Sequence, residues 1–222
     1  MKDAIEISFI VAIISTIIAT ILSILLYFLL KKLSFTFRHF IEILITIPIF
    51  FPPSVIGYLL LINLGVNSPL GGLIRHLFDF RIIFSKAAAI IVGIIVSVPI
   101  LYQNFKISLN SVDKSYIEAG RVMGCSEFNL FKHIIFPLSY RGIFSGIILG
   151  FGRVFGEFGA TILVAGNIPG KTQTIPLAIY SAVESGDDSL ANSLVIFVVC
   201  FSSILIFLYN FLIGKNSFKE LK

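Results

Sequence analysis

The segment YIEAGRVMGCSEFNLFKHIIFP, from Tyr116 to Pro137, is the longest charge-rich segment of an otherwise apolar chain. It lies between two apolar stretches, and its charged or titratable side chains include Glu118, Arg121, Glu127, Lys132 and His133. A charged group at membrane depth costs about 2.5 to 3.5 kcal/mol on insertion scales. We therefore expect this segment to lie in water or against another protein, held there by the apolar stretches on either side.

The composition indicates an integral membrane protein. Of the 222 residues, 57% are hydrophobic and 13% are charged, whereas soluble domains average about 25% charged residues. In a membrane protein, the basic residues behind the formal net charge of +5 indicate the orientation of the spans. Nucleic acid is therefore not an expected partner. We interpret residues 1–222 as a single transmembrane domain in the lipid bilayer.

Five predominantly apolar stretches are long enough to cross a bilayer, for which a helix needs about 20 residues. They predict an all-α membrane protein with spans at about 7–30, 43–64, 87–105, 141–166 and 190–213, and with the polar segment at about 113–137. The apolar stretch at 172–183 is too short to span and predicts an interfacial or re-entrant helix.

The basic residues predict the orientation of these spans. Eleven of the 17 Lys and Arg residues lie after the first span, in and around the polar segment, and in the C-terminal tail, whereas five lie on the other side. By the positive-inside rule, the N-terminus lies outside the cell, and the polar segment and the C-terminus lie in the cytoplasm.

The second stretch contains Pro48, Pro52 and Pro53, followed by Ser54. Proline removes a backbone donor and clashes with the preceding turn, so a kink or a break is expected. Two interpretations stay open at this point. The kink either serves packing, or it marks a broken helix beside a transport path, as in many transporters.

The fourth stretch combines small residues with charges. Small residues four positions apart share a helix face and let membrane helices approach closely, and two such rows are present, Gly142, Gly146 and Gly150, and Gly152, Gly156 and Ala160. The same stretch carries Arg153 and Glu157, one helical turn apart. These charges either pair with each other or line a polar path, and both can hold.

The sequence offers no catalytic or metal-binding constellation. GNIPGKT, from Gly166 to Thr172, is close to a phosphate-binding loop but has three residues between its first glycine and the Gly-Lys pair, where that motif needs four. We interpret its glycines and proline as turn residues. We therefore expect no enzymatic activity, no metal and no cofactor on this chain.

The spacing within the polar segment resembles a known motif. Glu118-Ala119-Gly120, three residues, Gly124, nine residues, Ile134, one residue and Phe136-Pro137 resemble the cytoplasmic EAA loop of ABC-importer permeases. Gly120 replaces the third alanine of that pattern and Phe136 replaces a leucine. The segments 47–61, 155–162 and 166–180 are similar to the molybdate permease family, which also includes tungstate and, more distantly, sulfate permeases.

The resemblance implies a type I ABC importer permease fold. Two copies of the permease would form the pathway, two ATPase subunits carrying ATP and Mg²⁺ would dock beneath it, and an extracellular or periplasmic binding protein would deliver an oxyanion. The residues implied in ATPase coupling are Glu118, Ala119, Gly120, Gly124, Ile134 and Pro137. Glu118 is then expected to pair with a basic residue of the ATPase.

The pathway is expected to bind its anion weakly, since a tight basic pocket would trap it. The candidates for lining the pathway are Ser54, Ser97, Arg153 and Glu157. Three alternatives stay open: a sulfate or other anion permease, an ion-coupled secondary transporter, and an intramembrane enzyme. The secondary transporter requires acidic groups at membrane depth, and the enzyme requires a catalytic cluster.

Overall fold

The computed structural model describes residues 1–217, with side chains up to residue 213, and the described residues are mostly helical. The long helices are α1 (Lys2–Lys31), α5 (Lys86–Asn110), α8 (Phe136–Phe155) and α11 (Asp188–Ser217). The shorter helices are α2 (Phe35–Thr46), α3 (Pro53–Leu64), α4 (Pro69–Phe78), α6 (Lys114–Val122), α7 (Glu127–Leu130), α9 (Gly159–Val164) and α10 (Ile175–Ser185). Lys219 and Lys222 of the C-terminal tail lie outside the described residues.

Helices α1 and α5 run parallel to each other. The Ser15 hydroxyl donates to the carbonyl of Ile90 at 3.0 Å, and the Ser23 hydroxyl donates to that of Val98 at 3.3 Å. Both bonds join residues 75 positions apart, and a constant offset means that the two helices point the same way. The chain between them must therefore return to the side on which α1 begins.

That return is made by a broken helix pair. The pair consists of Phe35–Ile49 and Pro53–Leu64, which together are long and apolar enough to cross a membrane. The two helices are bent by 107° relative to each other. The described residues thus contain four long apolar helices, or five spans if the bent pair counts as one. Pro53 begins α3, because proline has no amide to donate and suits the first helical turn.

The stretch 141–166 forms two helices, where the sequence predicted one. Helix α8 begins at Phe136, ends at Phe155, and is followed by α9 from Gly159 to Val164. A π-helical turn, Phe131–Ile135, joins α7 to α8 without a gap. The polar segment therefore leads directly into the fourth apolar helix. The expected short helix after it is α10, Ile175–Ser185.

The core lies between α1, α5 and α8. Helix α8 runs antiparallel to α5, and its glycines Gly142, Gly146 and Gly150 lie against Ser108, Asn104 and Leu101 of α5. Helix α11 packs on the outside through Phe201, whose ring lies 4.9 Å from that of Phe155 and 5.1 Å from that of Phe9. Its outward face is rich in exposed apolar side chains, as expected of a helix that contacts lipid.

Candidate functional site

The polar segment is a helix, a tight turn and a second helix. Asp113 caps α6 by accepting from the backbone N–H of Ser115 at 2.8 Å, and this bond holds the pKa of its carboxyl below the usual range. At the other end, the N–H of Cys125 bonds the carbonyl of Gly120 and the N–H of Gly124 bonds that of Arg121, which is the Schellman termination. Gly124 has a φ of +81° there, a conformation that a side chain disfavours.

Gly120 packs against its own chain. A Cβ at this position would lie 2.5 Å from Leu130 Cδ2 and 2.8 Å from Ile134 Cδ1. From the sequence we expected the small residues of the motif to admit a partner's backbone. For Gly120 the structure shows a different use, because the missing side chain lets α6 close onto α7 and the π-helical turn.

The opposite side of the segment is exposed. Glu118 and Ala119 face solvent, and no cation of the described residues lies within salt-bridge distance of Glu118. Beside them lie Val122 at 90%, Met123 at 82% and Phe128 at 71% exposure. Such an exposed apolar group in a charged segment is typical of a contact surface. Sequence reasoning did not single out these three residues, although apolar side chains in a polar segment could have signalled them.

The segment is joined to the bundle by aromatic packing. The ring of Phe131 lies 5.3 Å from that of Phe28 near the end of α1, in an edge-to-face arrangement. Arg121 and Glu127 close the turn with a salt bridge of 2.9 Å, but both side chains are more than half exposed. The pair therefore orders the turn more than it stabilises the fold. Ile134 is half-buried and Pro137 is exposed in the first turn of α8.

Two interrupted helices meet where each of them restarts. A Cβ at Gly159, the first residue of α9, would lie 3.0 Å from Pro53 Cβ at the start of α3. One turn further along α3, a Cβ at Gly57 would lie 3.0 Å from the Ala160 backbone. The two breaks therefore form one structural feature. This arrangement favours the interpretation of the proline kink as a broken helix.

Glu157 holds the second break together. It is 4% exposed, accepts from the N–H of Ala160 at 2.9 Å, and binds Arg153 Nη1 through its other oxygen at 2.6 Å. The interpretation that the two charges pair with each other is confirmed. The Arg153 side chain remains 34% exposed. Ser54, in the first turn of α3, is also exposed, and its N–H lies 3.8 Å from where a Gly159 Cβ would be.

The Arg153 side chain lines a groove of about 430 Å³ between α8 and α11. Besides Arg153, the walls combine apolar side chains with three polar ones, Ser202, Tyr209 and Asn210, and Gly152 also lines the groove. A Cβ at Gly152 would meet nothing within 4 Å among the described residues, and one at Gly156 would meet only the Gly152 carbonyl of its own helix. This second glycine row thus differs from the first, because no helix of the described chain packs against it.

Ser97 lies elsewhere. It is fully buried in α5, and its hydroxyl donates to the carbonyl of Gly93 at 2.6 Å, within its own helix. Serine and threonine hydroxyls in membrane helices commonly donate to a backbone carbonyl one turn earlier in the same helix. In this conformation the Ser97 hydroxyl is bonded within its own helix. The pathway roles of Ser54, Ser97, Arg153 and Glu157 stay predictions.

A second buried carboxylate was missed from the sequence. Glu42 is 7% exposed and, among the described residues of α2, is the one that is buried. It accepts from Lys106 Nζ at 2.7 Å, from Tyr102 Oη at 2.8 Å and from Arg38 Nε at 3.0 Å. This network fastens the bent pair to α5. Arg38 four residues before Glu42 was a visible signal, but Lys106 is 64 residues away.

The loop that resembles a phosphate-binding motif is closed on itself. The Thr172 hydroxyl donates to the carbonyl of Gly166 at 3.1 Å and accepts from the N–H of Ile168 at 3.2 Å, and Thr172 is 1% exposed. Gln173 bonds Asn167 at 2.8 Å across the same loop. These residues act as a turn, as predicted. Among the described residues, no cluster of metal-ligating side chains is found.

Comparison with known proteins agrees with this geometry. The model of the family "binding-protein-dependent transport system inner membrane component" matches residues 19–216. The molybdenum transport system permease protein ModB of Haemophilus influenzae is 36% identical over 219 residues, which cover 98% of this chain and 95% of the relative. A sulfate transport system permease protein, cysT of Chlorella vulgaris, is 30% identical over 180 residues, covering 80% of this chain and 67% of the relative.

The fold is also found in a solved structure. In the bacterial alginate ABC transporter, solved with a periplasmic protein that carries an alginate pentasaccharide, one chain superimposes with a TM-score of 0.75 at 15% identity. The match covers 94% of this chain and 76% of that one. At this identity the likeness shows the fold of an ABC transporter permease. The family match extends over most of the sequence, and the chain therefore belongs to the binding-protein-dependent transport system inner membrane components.

Proposed function

We propose that this chain is the permease subunit of an ATP-driven ABC importer whose cargo is an oxyanion, molybdate or its close analogue tungstate. The observation that carries the transport role is the exposed, doubly capped segment α6–α7, at the position and spacing of the EAA loop. The choice of anion is supported by the relative named as a molybdenum permease, which matches almost the whole chain.

The coupling surface in this proposal is the outer side of α6 and its turn. An ATPase subunit seats the exposed apolar side chains Val122, Met123 and Phe128, and a basic residue of that subunit pairs with Glu118. A few closely packed residues near the centre of an interface supply most of its binding energy. ATP and Mg²⁺ bind to the ATPase subunits and supply the energy for the cycle.

Movement of the coupling segment passes into the bundle by two routes. Helix α7 continues through the π-helical turn into α8, and Phe131 packs on Phe28 of α1. A rigid shift of α6–α7 therefore turns α8 and the end of α1 together. The break at Glu157 lies at the far end of α8, where the shift changes the relation between α9 and α3. Alternating access of this rocking type needs no covalent step on the permease.

A second copy of the chain completes the pathway in this proposal. A Cβ on the open glycine row, Gly152 and Gly156, would meet no other helix of the described chain within 4 Å, and the groove that holds Arg153 opens beside this row between α8 and α11. A single cation that is partly neutralised by Glu157 offers an anion weak attraction without trapping it. The proposed orientation places the N-terminus outside the cell and α6–α7 in the cytoplasm, where the ATPase subunits dock, and a binding protein delivers the anion from outside.

Uptake of labelled molybdate tests this function. We expect cells that carry the complete importer to take up molybdate, with strong competition by tungstate and weak competition by sulfate. Strong competition by sulfate would favour the second candidate, a sulfate permease, which the Chlorella vulgaris relative supports. Uptake that persists after deletion of the partner ATPase would reject the ABC mechanism in favour of an ion-coupled transporter.

A further inference from the structure

Helix α4 is fixed against the end of the bent span. The Ser68 hydroxyl accepts from the N–H of Gly71 at 2.9 Å and donates to the carbonyl of Gly65 at 2.8 Å. Gly71 lies so close to the carbonyls of Leu64 and Gly65 that a Cβ there could not fit. The beginning of α4 is thus held at the level where α3 ends, which is the boundary of an apolar span.

One side of α4 is apolar and exposed. Leu70, Leu73 and Leu77 recur at the spacing of one helix face, and they are 54%, 55% and 63% exposed. Helix α3 also carries exposed apolar side chains, since Tyr58 is 59% and Ile62 is 49% exposed. In a membrane protein, exposed apolar side chains near the end of a span are suited to lipid.

The other side of α4 carries positive charge. By helical geometry Arg75 lies on the face opposite the leucines and His76 lies at the margin of their stripe, and Arg81 follows shortly after the helix. All three are exposed, and neither arginine forms a salt bridge with any described residue. Asp79, at the C-terminal cap, is the one acidic residue in this part of the chain. The charge balance therefore favours an anionic ligand.

We propose that α4 is an interfacial helix that binds anionic lipid, with its leucines among the acyl chains and with Arg75 and Arg81 on the lipid phosphates. An apolar stripe opposed by basic residues is the arrangement of helices that lie in the plane of a membrane surface. A second copy of the chain or a binding protein would cover the leucines equally well, but covering the leucines does not account for two arginines that form no salt bridge within the described part of the chain. This role is independent of which anion the importer carries.

The position of the leucines can be measured by fluorescence, because the chain contains no tryptophan. We would replace Leu73 with Trp, reconstitute the full chain in vesicles, and measure quenching by phospholipids that are brominated on their acyl chains. Leu73→Trp should be quenched strongly, and the matched control Arg75→Trp on the opposite face should be quenched weakly. Leu77→Trp, on the same stripe, gives a second reading if Leu73→Trp does not fold.

Recognition of the headgroup is tested by placing the brominated acyl chains on one kind of phospholipid at a time. At equal mole fractions, bromine carried by phosphatidylglycerol should quench Leu73→Trp more than bromine carried by phosphatidylcholine. We expect about fivefold local enrichment for each arginine. The double change Arg75→Gln and Arg81→Gln should remove the difference between the two lipids but leave the total quenching in place.

Three results would overturn the proposal. Red-shifted, unquenched emission from Leu73→Trp would place the stripe in water. Blue-shifted, unquenched emission would place it under protein. Equal quenching by the two brominated lipids would remove the role of the arginines.

Discussion

Gly120 and Leu130 are in direct apposition across the turn that joins α6 to α7: a Cβ on the glycine would come within 2.5 Å of a Leu130 methyl group. The atoms that it would meet lie at the far ends of the Leu130 and Ile134 side chains, which can yield to one extra carbon. The position where the EAA pattern has alanine is therefore an internal packing position.

Enlarging residue 120 should separate the two helices of the coupling segment. We expect Gly120→Ala to keep ATPase association, whereas Gly120→Leu should lose most of it, because overpacking of this kind costs about 1 to 3 kcal/mol. The measurement is co-purification of the ATPase with each variant. Full association of Gly120→Leu would show that α6 and α7 need not pack closely.

A charge at the tip of the segment should weaken docking without unfolding the protein. Val122 is 90% exposed, so Val122→Asp disturbs no internal contact, and as a central interface residue it should cost on the order of tenfold or more in affinity for the ATPase. The control is Cys125→Ser, a nearly isosteric change at an exposed position of the same turn. Glu118→Lys should also reduce association; if it and Val122→Asp both behave as the wild type, the docking surface lies elsewhere.

Removing the charge of Glu42 should loosen the bent pair. Glu42→Gln leaves Lys106 and Arg38 without their carboxylate. Loss of one partner of a fully buried pair costs about 3 to 5 kcal/mol, and the 27% exposure of each cation lowers that cost here. Thermal unfolding of the purified chain should show the loss. Adding Lys106→Met should restore part of the stability, since it removes the unpaired charge. An unchanged melting temperature for Glu42→Gln would mean that this network does not hold α2.

Neutralising Glu157 should make the anion bind more tightly and leave more slowly. In Glu157→Gln an amide oxygen can still accept from the N–H of Ala160, so the cap on α9 is retained while Arg153 loses its counter-charge. We expect a lower concentration for half-maximal molybdate uptake together with a lower maximal rate, and for Arg153→Met a higher half-maximal concentration. If neither parameter moves in either variant, the anion does not pass this pair.

The two glycine rows of α8 should respond differently to a methyl group. A Cβ at Gly146 would lie 2.7 Å from Asn104 Cβ, close to the α5 backbone, whereas one at Gly152 meets no described atom within 4 Å. Gly146→Ala should therefore destabilise the chain by about 1 to 3 kcal/mol, and Gly152→Ala, the matched control, should not. Both are measured by thermal unfolding, and equal effects would contradict the distinction between the rows.

The amino-acid sequence was sufficient for several features that depend on neighbouring residues. Five apolar stretches separated by polar ones indicate the membrane class and the helical fold, because each helix satisfies its own backbone in lipid. Pro52 and Pro53 predict the break before α3, and the spacing from Glu118 to Pro137 locates the segment that resembles the EAA loop. These signals are local, and they do not depend on which helices pack against each other.

The tertiary structure decided which groups meet. Only packing shows that Gly120 faces Leu130, that Glu42 reaches Lys106 across 64 residues, and that Ser97 is enclosed while Arg153 stays partly open. The end of α8 at Phe155 likewise depends on Glu157, whose carboxylate joins Arg153 to the start of α9. Hydropathy and spacing determine where a membrane helix forms, but a buried charge or a missing side chain acquires its role from the helix that lies opposite.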